Sequence, residues 1–338
     1  MTSANPPHTD PVNLVVLHGD DLPPGGERFD ADPRLASVRH ATADTLGEVL
    51  PGAQALFVWD LFSEALKAAW PKADSLRWVH AATAGVDNLM FDAMVGGDVV
   101  VTNSRGVFDQ PMAEYVLGLV ISFAKDLPTT LDLQRRREWH HRETERVGGR
   151  HALVIGTGPI GRAIARQLRA VGMSVEGAGR TARPEDPDFG TVVEASLDTA
   201  APGLAEALPR ADYVVLAAPL TAATRNLADA AFFAHMRDTA RLINVGRGRL
   251  VDEDALVPAL RAQELRGAAL DVAVTEPLPA DSPLWDMPGV VVSPHMSGDV
   301  VGWRDELVDL FADNLDRFLN EGPLLNVVDK TRGYVSGP

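Results

Sequence analysis

Three short stretches carry side chains that could grip an anion and move a proton: "LINVGRGRLVDEDAL" (242–256), "ALDVAVTEPLP" (269–279) and "VVSPHMSG" (291–298). They supply Arg247, Glu276 and His295. A histidine titrates near neutrality and suits general acid–base work. A carboxylate beside it fixes the ring and favours the imidazolium, and Glu276 is placed for that part. A guanidinium can hold a carboxylate and polarise a carbonyl, which suits Arg247. Each stretch begins in an apolar run that reads as a strand, so each residue falls at a strand's C-terminal end, where open parallel sheets bind ligands. Each also has a plainer reading. Arg247 could be an exposed turn residue beside Arg249, Glu276 a surface residue before Pro277, and His295 a satisfied core histidine. Taken jointly and in this order, the chemical reading is the stronger.

A second motif points to a nucleotide. In "HALVIGTGPIG" (151–161) an apolar strand runs into Gly156, Gly158 and Gly161 and opens a helix at Pro159 and Ile160. Gly156 permits a tight turn, Gly158 lets the backbone approach a pyrophosphate, and Gly161 lets helix and strand pack closely. The free N–H groups of the helix start then face phosphate. The plainer reading is a glycine-rich connection without a ligand. The next strand ends in "GRTAR", Gly179, Arg180, Thr181, Ala182 and Arg183, where a ribose-binding carboxylate commonly stands. Glycine leaves room and removes repulsion, and arginines grip a 2′-phosphate, so the stretch reads as a site for NADP in preference to NAD. On this reading Gly179→Asp with Arg180→Ala reverses the preference. The alternative is that Arg180 and Arg183 are solvated and Glu176 serves the ribose.

These residues require a scaffold of parallel strands and covering helices. Near-continuous apolar runs recur as "NLVVLH" (13–18), "ALFVWD" (55–60), "LRWVHA" (76–81) and "DVVVTN" (98–103). They restart after residue 150 as "HALVIG", "MSVEGAG", "DYVVLAAP" (212–219), "ARLINVG" (240–246), "GAALDVA" (267–273) and "GVVVSPH" (289–295). Such runs fit parallel strands covered on both faces. Between the two sets, "DQPMAEYVLGLVISFAK" (109–125) places Met112, Val116, Leu119, Val120 and Phe123 at helical spacing, with Asp109 as a cap and Pro111 in the first turn, and could link two domains. The segment 159–171 reads as a helix, and Asp252, Glu253 and Asp254 favour a helix start. A last helix, 299–322, is expected to pack back on the first domain.

The chain has 338 residues, enough for two cores, and a composition of 46% hydrophobic and 23% charged residues typical of a soluble protein. No apolar run reaches membrane-spanning length, and "MTSANPPHTDP" reads as a disordered lead-in rather than a secretory signal. The absence of cysteine removes disulfides, thiolate metal sites and a cysteine nucleophile, and is compatible with the cytoplasm. A net charge of −16 argues against nucleic acid or an anionic membrane as the main partner. The adjacent His140 and His141, read as helical, point to different faces and suggest no metal site.

In its ordered motifs the chain resembles the D-2-hydroxyacid dehydrogenase family, and most closely its glyoxylate/hydroxypyruvate reductase-like members. The resemblance rests on "AGVDNL" (84–89), "NSRGVFDQPMAEYVLGL" (103–119), the glycine turn, "APLTAATRNL" (218–227), "NVGRGRLVDEDAL", "EPLP", "SPH" and "PLLNVVDK" (323–330), and covers nearly the whole chain. It implies two doubly wound α/β domains. A flavodoxin-like substrate domain (1–104 and 296–338) would carry an inserted Rossmann-type nicotinamide domain (105–295). It assigns the acid–base role to His295, its partner to Glu276 and substrate binding to Arg247, with the N–H groups of Ala84, Gly85 and Val86 completing the carboxylate site. Ala218, Pro219, Thr224, Asn244, Val245, Gly246, Asp271, Ser297 and Gly298 would line the cofactor, with Asp271 on the nicotinamide amide. The D stereochemistry and a homodimer through 109–137 are likewise implied by the resemblance. Trp303 and Arg304 could shape a substrate mouth, although Trp303 reads better as a helix-packing aromatic. Two other classes compete: a dinucleotide-sensing binding protein or corepressor on the same fold, and a methyltransferase with a glycine-rich turn. The Arg–Glu–His set disfavours the first, and the paired domains and "SPH" the second.

Overall fold

The computed structural model describes residues 12–196 and 203–335. The lead-in read at residues 1–11 lies outside them. The described chain divides into two compact units, one ending at Val107 and resuming at Val300, the other spanning Phe108–Asp299.

The first unit is built on five parallel strands: β1 (Val12–Leu17), β2 (Leu35–Ala41), β3 (Ala55–Val58), β4 (Trp78–Ala81) and β5 (Val100–Asn103), in the order β2-β1-β3-β4-β5. This is the flavodoxin-like order. β3 and β4 are buried along their whole length, as strands covered on both faces must be. β2 was not legible as a strand. It lies at the edge of the sheet and carries half-buried Ser37 and Arg39 and exposed His40 among its apolar residues, so no apolar run marks it. The helix Trp303–Leu319 belongs to this unit and stacks Phe311 on Phe57 with ring centroids 3.9 Å apart.

The second unit holds eight strands: β6 (His151–Ile155), β7 (Ser174–Gly179), β8 (Arg183–Asp186), β9 (Gly190–Glu194), β10 (Tyr213–Leu216), β11 (Arg241–Asn244), β12 (Gly267–Leu270) and β13 (Val290–Val292). Their order is β13-β12-β11-β10-β6-β7-β9-β8, parallel throughout except for the antiparallel β8–β9 pair. Without β8 this is a Rossmann sheet, with its switch point between β6 and β10. Alternate residues feed two cores. Leu153, Ile155, Val214 and Leu216 face one side, with the helices Ala230–His235 and Glu253–Arg261. Ala152, Val154, Tyr213 and Val215 face the other, with the helices Asp109–Ala124 and Pro159–Ala170. The strands read as apolar on both faces because both faces are covered.

Three sequence readings need correction. Asp109 is not a cap: it is the first helical residue, and Phe108 holds the cap position without a side-chain bond. Its helix lies wholly within the second unit, where Val116, Leu119, Val120 and Phe123 are buried, so it does not link the units. His140 and His141 are exposed in an irregular segment after the helix Leu127–Arg136 and are not helical. Asp252 does cap its helix, its side chain accepting from the N–H of Asp254.

Candidate active site

The glycine turn joins β6 to the helix Pro159–Ala170, with Pro159 in the first turn. Gly156 has φ 114°, and a Cβ there would lie 2.5 Å from the carbonyl carbon of Ala217, so only glycine fits. A Cβ at Gly161 would lie 1.8 Å from the Gly156 carbonyl oxygen. Those two glycines have reasons within the protein. Gly158 has none, since nothing lies within 4 Å of a Cβ built there. An open glycine before a helix N-terminus fits a phosphate group approaching the backbone.

At the end of β7, Arg180 and Thr181 are exposed and Arg183 is half-buried. Arg183 donates through Nε to Asp186 Oδ2 at 3.0 Å. Asp186 is buried and also accepts two bonds from Arg162, on the helix that follows the glycine turn, at 3.0 and 2.9 Å. Burial pushes the Asp186 carboxyl up, but its bonds from Arg162, the Asp188 and Phe189 N–H groups and Arg183 prevail and hold it well below the usual range. Glu176, the alternative for the ribose, is bonded by Arg210 at 2.9 and 2.8 Å.

The catalytic candidates converge at the ends of β11, β12 and β13. His295 Nδ1 and Glu276 Oε2 are 2.8 Å apart. Glu276 Oε1 accepts from the Ala273 N–H at 2.9 Å. Burial opposes ionisation of Glu276, but its bonds to His295 and Ala273 and the charges of His295 and Arg247 hold its carboxyl below its ordinary value. His295 has φ 53°, an uncommon backbone region for a non-glycine residue, and its N–H is held by the Asp271 carbonyl at 2.7 Å. Asp271 fixes the rest of that loop, accepting from Ser293 Oγ (2.7 Å) and from the N–H groups of Met296 (3.0 Å) and Ser297 (2.9 Å).

Several residues expected to line the cofactor have other partners. Asn244 is fully buried; its amide donates to the Arg247 carbonyl at 2.9 Å and accepts from the Gly246 N–H at 3.1 Å, so it shapes the loop that carries Arg247. Val245 is buried beside it in the core. Thr224 donates to the Pro219 carbonyl at 2.7 Å and accepts from the Thr221 N–H at 2.8 Å, stapling its own turn. Asp271 is buried, with both oxygens engaged. Ser297 and Gly298 are buried, and a Cβ at Gly298 would meet Phe108 at 2.7 Å. Ala218 is buried and Pro219 exposed at the mouth of the β10 loop. Ala84, Gly85 and Val86 lie in the first unit, in the loop after β4, with the Ala84 carbonyl bonded by the Asn103 amide. Trp303 opens its helix in the same unit; Arg304 lies over the Trp303 ring and pairs with Asp21 at 2.9 Å. Sequence reasoning missed Asp186, whose only signal is the turn-prone "DPDFG", and Ser293, which donates to Asp271.

A fold with this switch point, an open glycine turn and a paired histidine and glutamate is that of a nicotinamide-dependent oxidoreductase. The sequence model for the D-isomer specific 2-hydroxyacid dehydrogenase NAD-binding domain matches residues 117–297. The chain belongs to that family. It is 32% identical over 288 residues to glyoxylate/hydroxypyruvate reductase B of Salmonella schwarzengrund, covering 82% of this chain and 83% of the relative. It is 30% identical to D-3-phosphoglycerate dehydrogenase of Methanocaldococcus jannaschii over 261 residues, 76% of this chain but only 48% of that longer relative. A solved D-isomer specific 2-hydroxyacid dehydrogenase from Xanthobacter autotrophicus Py2, in complex with NADPH and MES, superposes with a TM-score of 0.81 at 33% identity, covering 96% of this chain and 100% of the other. Among the described residues, no helix is long and apolar enough to cross a membrane.

Proposed function

We propose that the protein reduces small 2-oxo acids with NADPH and, in reverse, oxidises D-2-hydroxy acids with NADP. One observation carries the reading: the 2.8 Å contact between His295 and Glu276, within the influence of the Arg247 charge. Reduction of a 2-oxo acid needs a hydride at the carbonyl carbon and a proton at its oxygen. A dinucleotide held at Gly156, Gly158 and the start of the helix Pro159–Ala170 would supply the hydride. Glu276 occupies Nδ1 of His295, which assigns proton exchange to Nε2. As negative charge develops on the carbonyl oxygen, His295 gives it that proton. Arg247 holds the substrate carboxylate and polarises the carbonyl. In oxidation His295 takes the hydroxyl proton back.

The relatives support the finer assignment. The Salmonella protein is named for glyoxylate and hydroxypyruvate, which favours small 2-oxo acids, and the Xanthobacter structure is named with NADPH. Gly179, Arg180, Thr181 and Arg183 favour the same cofactor. In this reading the first unit is the substrate domain, the second is the cofactor domain, and the protein is cytoplasmic. It is also a homodimer through the helices near 109–137, which expose Ile121, Leu127 and Leu131.

Loss of NADPH absorbance with glyoxylate, hydroxypyruvate, pyruvate and larger 2-oxo acids tests the reading. Turnover is expected with at least one of the small acids. Tight NADPH binding without turnover of any acid would contradict it and favour a dinucleotide-sensing binding protein.

A further inference from the structure

Gly179 has a neighbour that its sequence position does not announce. A Cβ at Gly179 would lie 2.8 Å from Thr157 Oγ1 and 3.3 Å from Thr157 Cγ2. Thr157 is the residue between Gly156 and Gly158 in the glycine turn, twenty-two positions earlier by numbering (179 − 157). Gly179 is not among the residues with positive φ, so its backbone would accept a side chain. What crowds one is the threonine, whose side chain would have to shift to make room. Both branches of Thr157 face position 179, so a 120° turn about its stiff χ1 can move only one of them away.

We propose that Thr157 is a specificity-determining residue of the cofactor site. A carboxylate that binds the two ribose hydroxyls would have to leave the end of β7 through the space that the Thr157 hydroxyl and methyl fill. Thr157 therefore keeps position 179 a glycine and commits the turn to a cofactor whose 2′ position is recognised by arginine instead. The proposal rests on the NADPH reading above. It also revises the simpler expectation that Gly179→Asp with Arg180→Ala reverses the preference: the acid at 179 needs a smaller residue at 157 before it can reach a ribose.

The test is a double-mutant cycle on the full chain, with Kd for NAD and for NADP measured by titration of wild type, Thr157→Ala, Gly179→Asp and the double variant. Gly179→Asp alone should bind both cofactors about tenfold or more weakly than wild type, because strand and turn must part. Thr157→Ala alone should retain the preference for NADP. The double variant should bind NAD about tenfold more tightly than Gly179→Asp, with no matching recovery for NADP. Gly179→Ala, made once in wild type and once in the Thr157→Ala variant, guards against misfolding: the apo Tm should fall more in wild type. Equal NAD affinity for Gly179→Asp and the double variant, or equal Tm losses in the two backgrounds, would overturn the role of Thr157. A wild type that prefers NAD while the Tm coupling persists would instead overturn the NADPH reading, and with it the commitment assigned to Thr157.

Discussion

Two buried aspartates in the second unit each organise a functional loop, but with different partners. Asp271 is bound by neutral donors: Ser293 Oγ and the N–H groups of Met296 and Ser297. Asp186 is bound by the guanidinium groups of Arg162 and Arg183 as well as the N–H groups of Asp188 and Phe189. The first arrangement uses no cation and holds the loop that carries His295 by hydrogen bonds from neutral groups alone. The second ties Arg162 and Arg183 to one carboxylate. In the proposed function Arg183 would meet the 2′-phosphate with its orientation fixed and part of its charge already answered. Buried carboxylates thus hold the His295 loop in one region and the Arg183 side chain in the other, and their removal should be felt differently.

The largest effect is expected at the residue that the first region exists to place. His295→Asn should lower kcat by roughly 10²- to 10⁴-fold, the usual contribution of a positioned acid–base group, with NADPH affinity nearly intact. Turnover within about threefold of wild type would remove His295 from the chemistry.

Asp271→Asn comes next. An amide cannot accept all three bonds without turning an N–H toward another N–H, and a buried unsatisfied donor costs about 1–3 kcal/mol. Denaturant melts should show that loss, and kcat should fall as the His295 loop relaxes, though less than in His295→Asn. Unchanged stability and kcat would show that the neutral donors around Asp271 are not organising the loop.

Arg247→Lys tests the substrate role proposed for Arg247. Lysine is a point charge without a planar fork, so it should recover only part of the kcat/KM lost in Arg247→Ala. Equal kinetics for lysine and arginine would mean that charge alone matters there.

The smallest effect is expected for Asp186→Asn. KM for NADPH should rise several-fold, by about one weakened charge-assisted contact, while kcat at saturation and KM for NADH stay near wild type. Stability adds a second reading. The Asp186 carboxyl is held below its ordinary value of 3.8, so its share of stability is complete above that pH and is lost as pH falls below it. The stability gap between wild type and Asp186→Asn should therefore shrink between about pH 5 and pH 2. A gap that grows on acidification would contradict the ion-paired assignment.

The parts of the molecule legible in sequence are those whose pattern is local. β3, β4, β6 and β10 are apolar on both faces and announce themselves, and the glycine turn follows its strand directly. The edge strand β2 and the short β8–β9 hairpin do not, because exposure lets them carry arginine, histidine and acids. Arg247, Glu276 and His295 stand out as chemical residue types at strand ends. Their supports do not: Asn244 reads as one more strand residue, and the bonds of Asp271 join positions more than twenty apart. The Thr157–Gly179 contact has no sequence signal, since it exists only once β6 and β7 pair.

The most direct test is which cofactor drives reduction of a 2-oxo acid. Initial rates with one good acid substrate and either NADPH or NADH give two kcat/KM values for the wild type. A charge-assisted bond to phosphate is worth about 1.5–3 kcal/mol, so NADPH should be favoured at least about tenfold. Equal values, or a preference for NADH, would mean that Arg180 and Arg183 do not select a 2′-phosphate and would contradict the NADPH assignment.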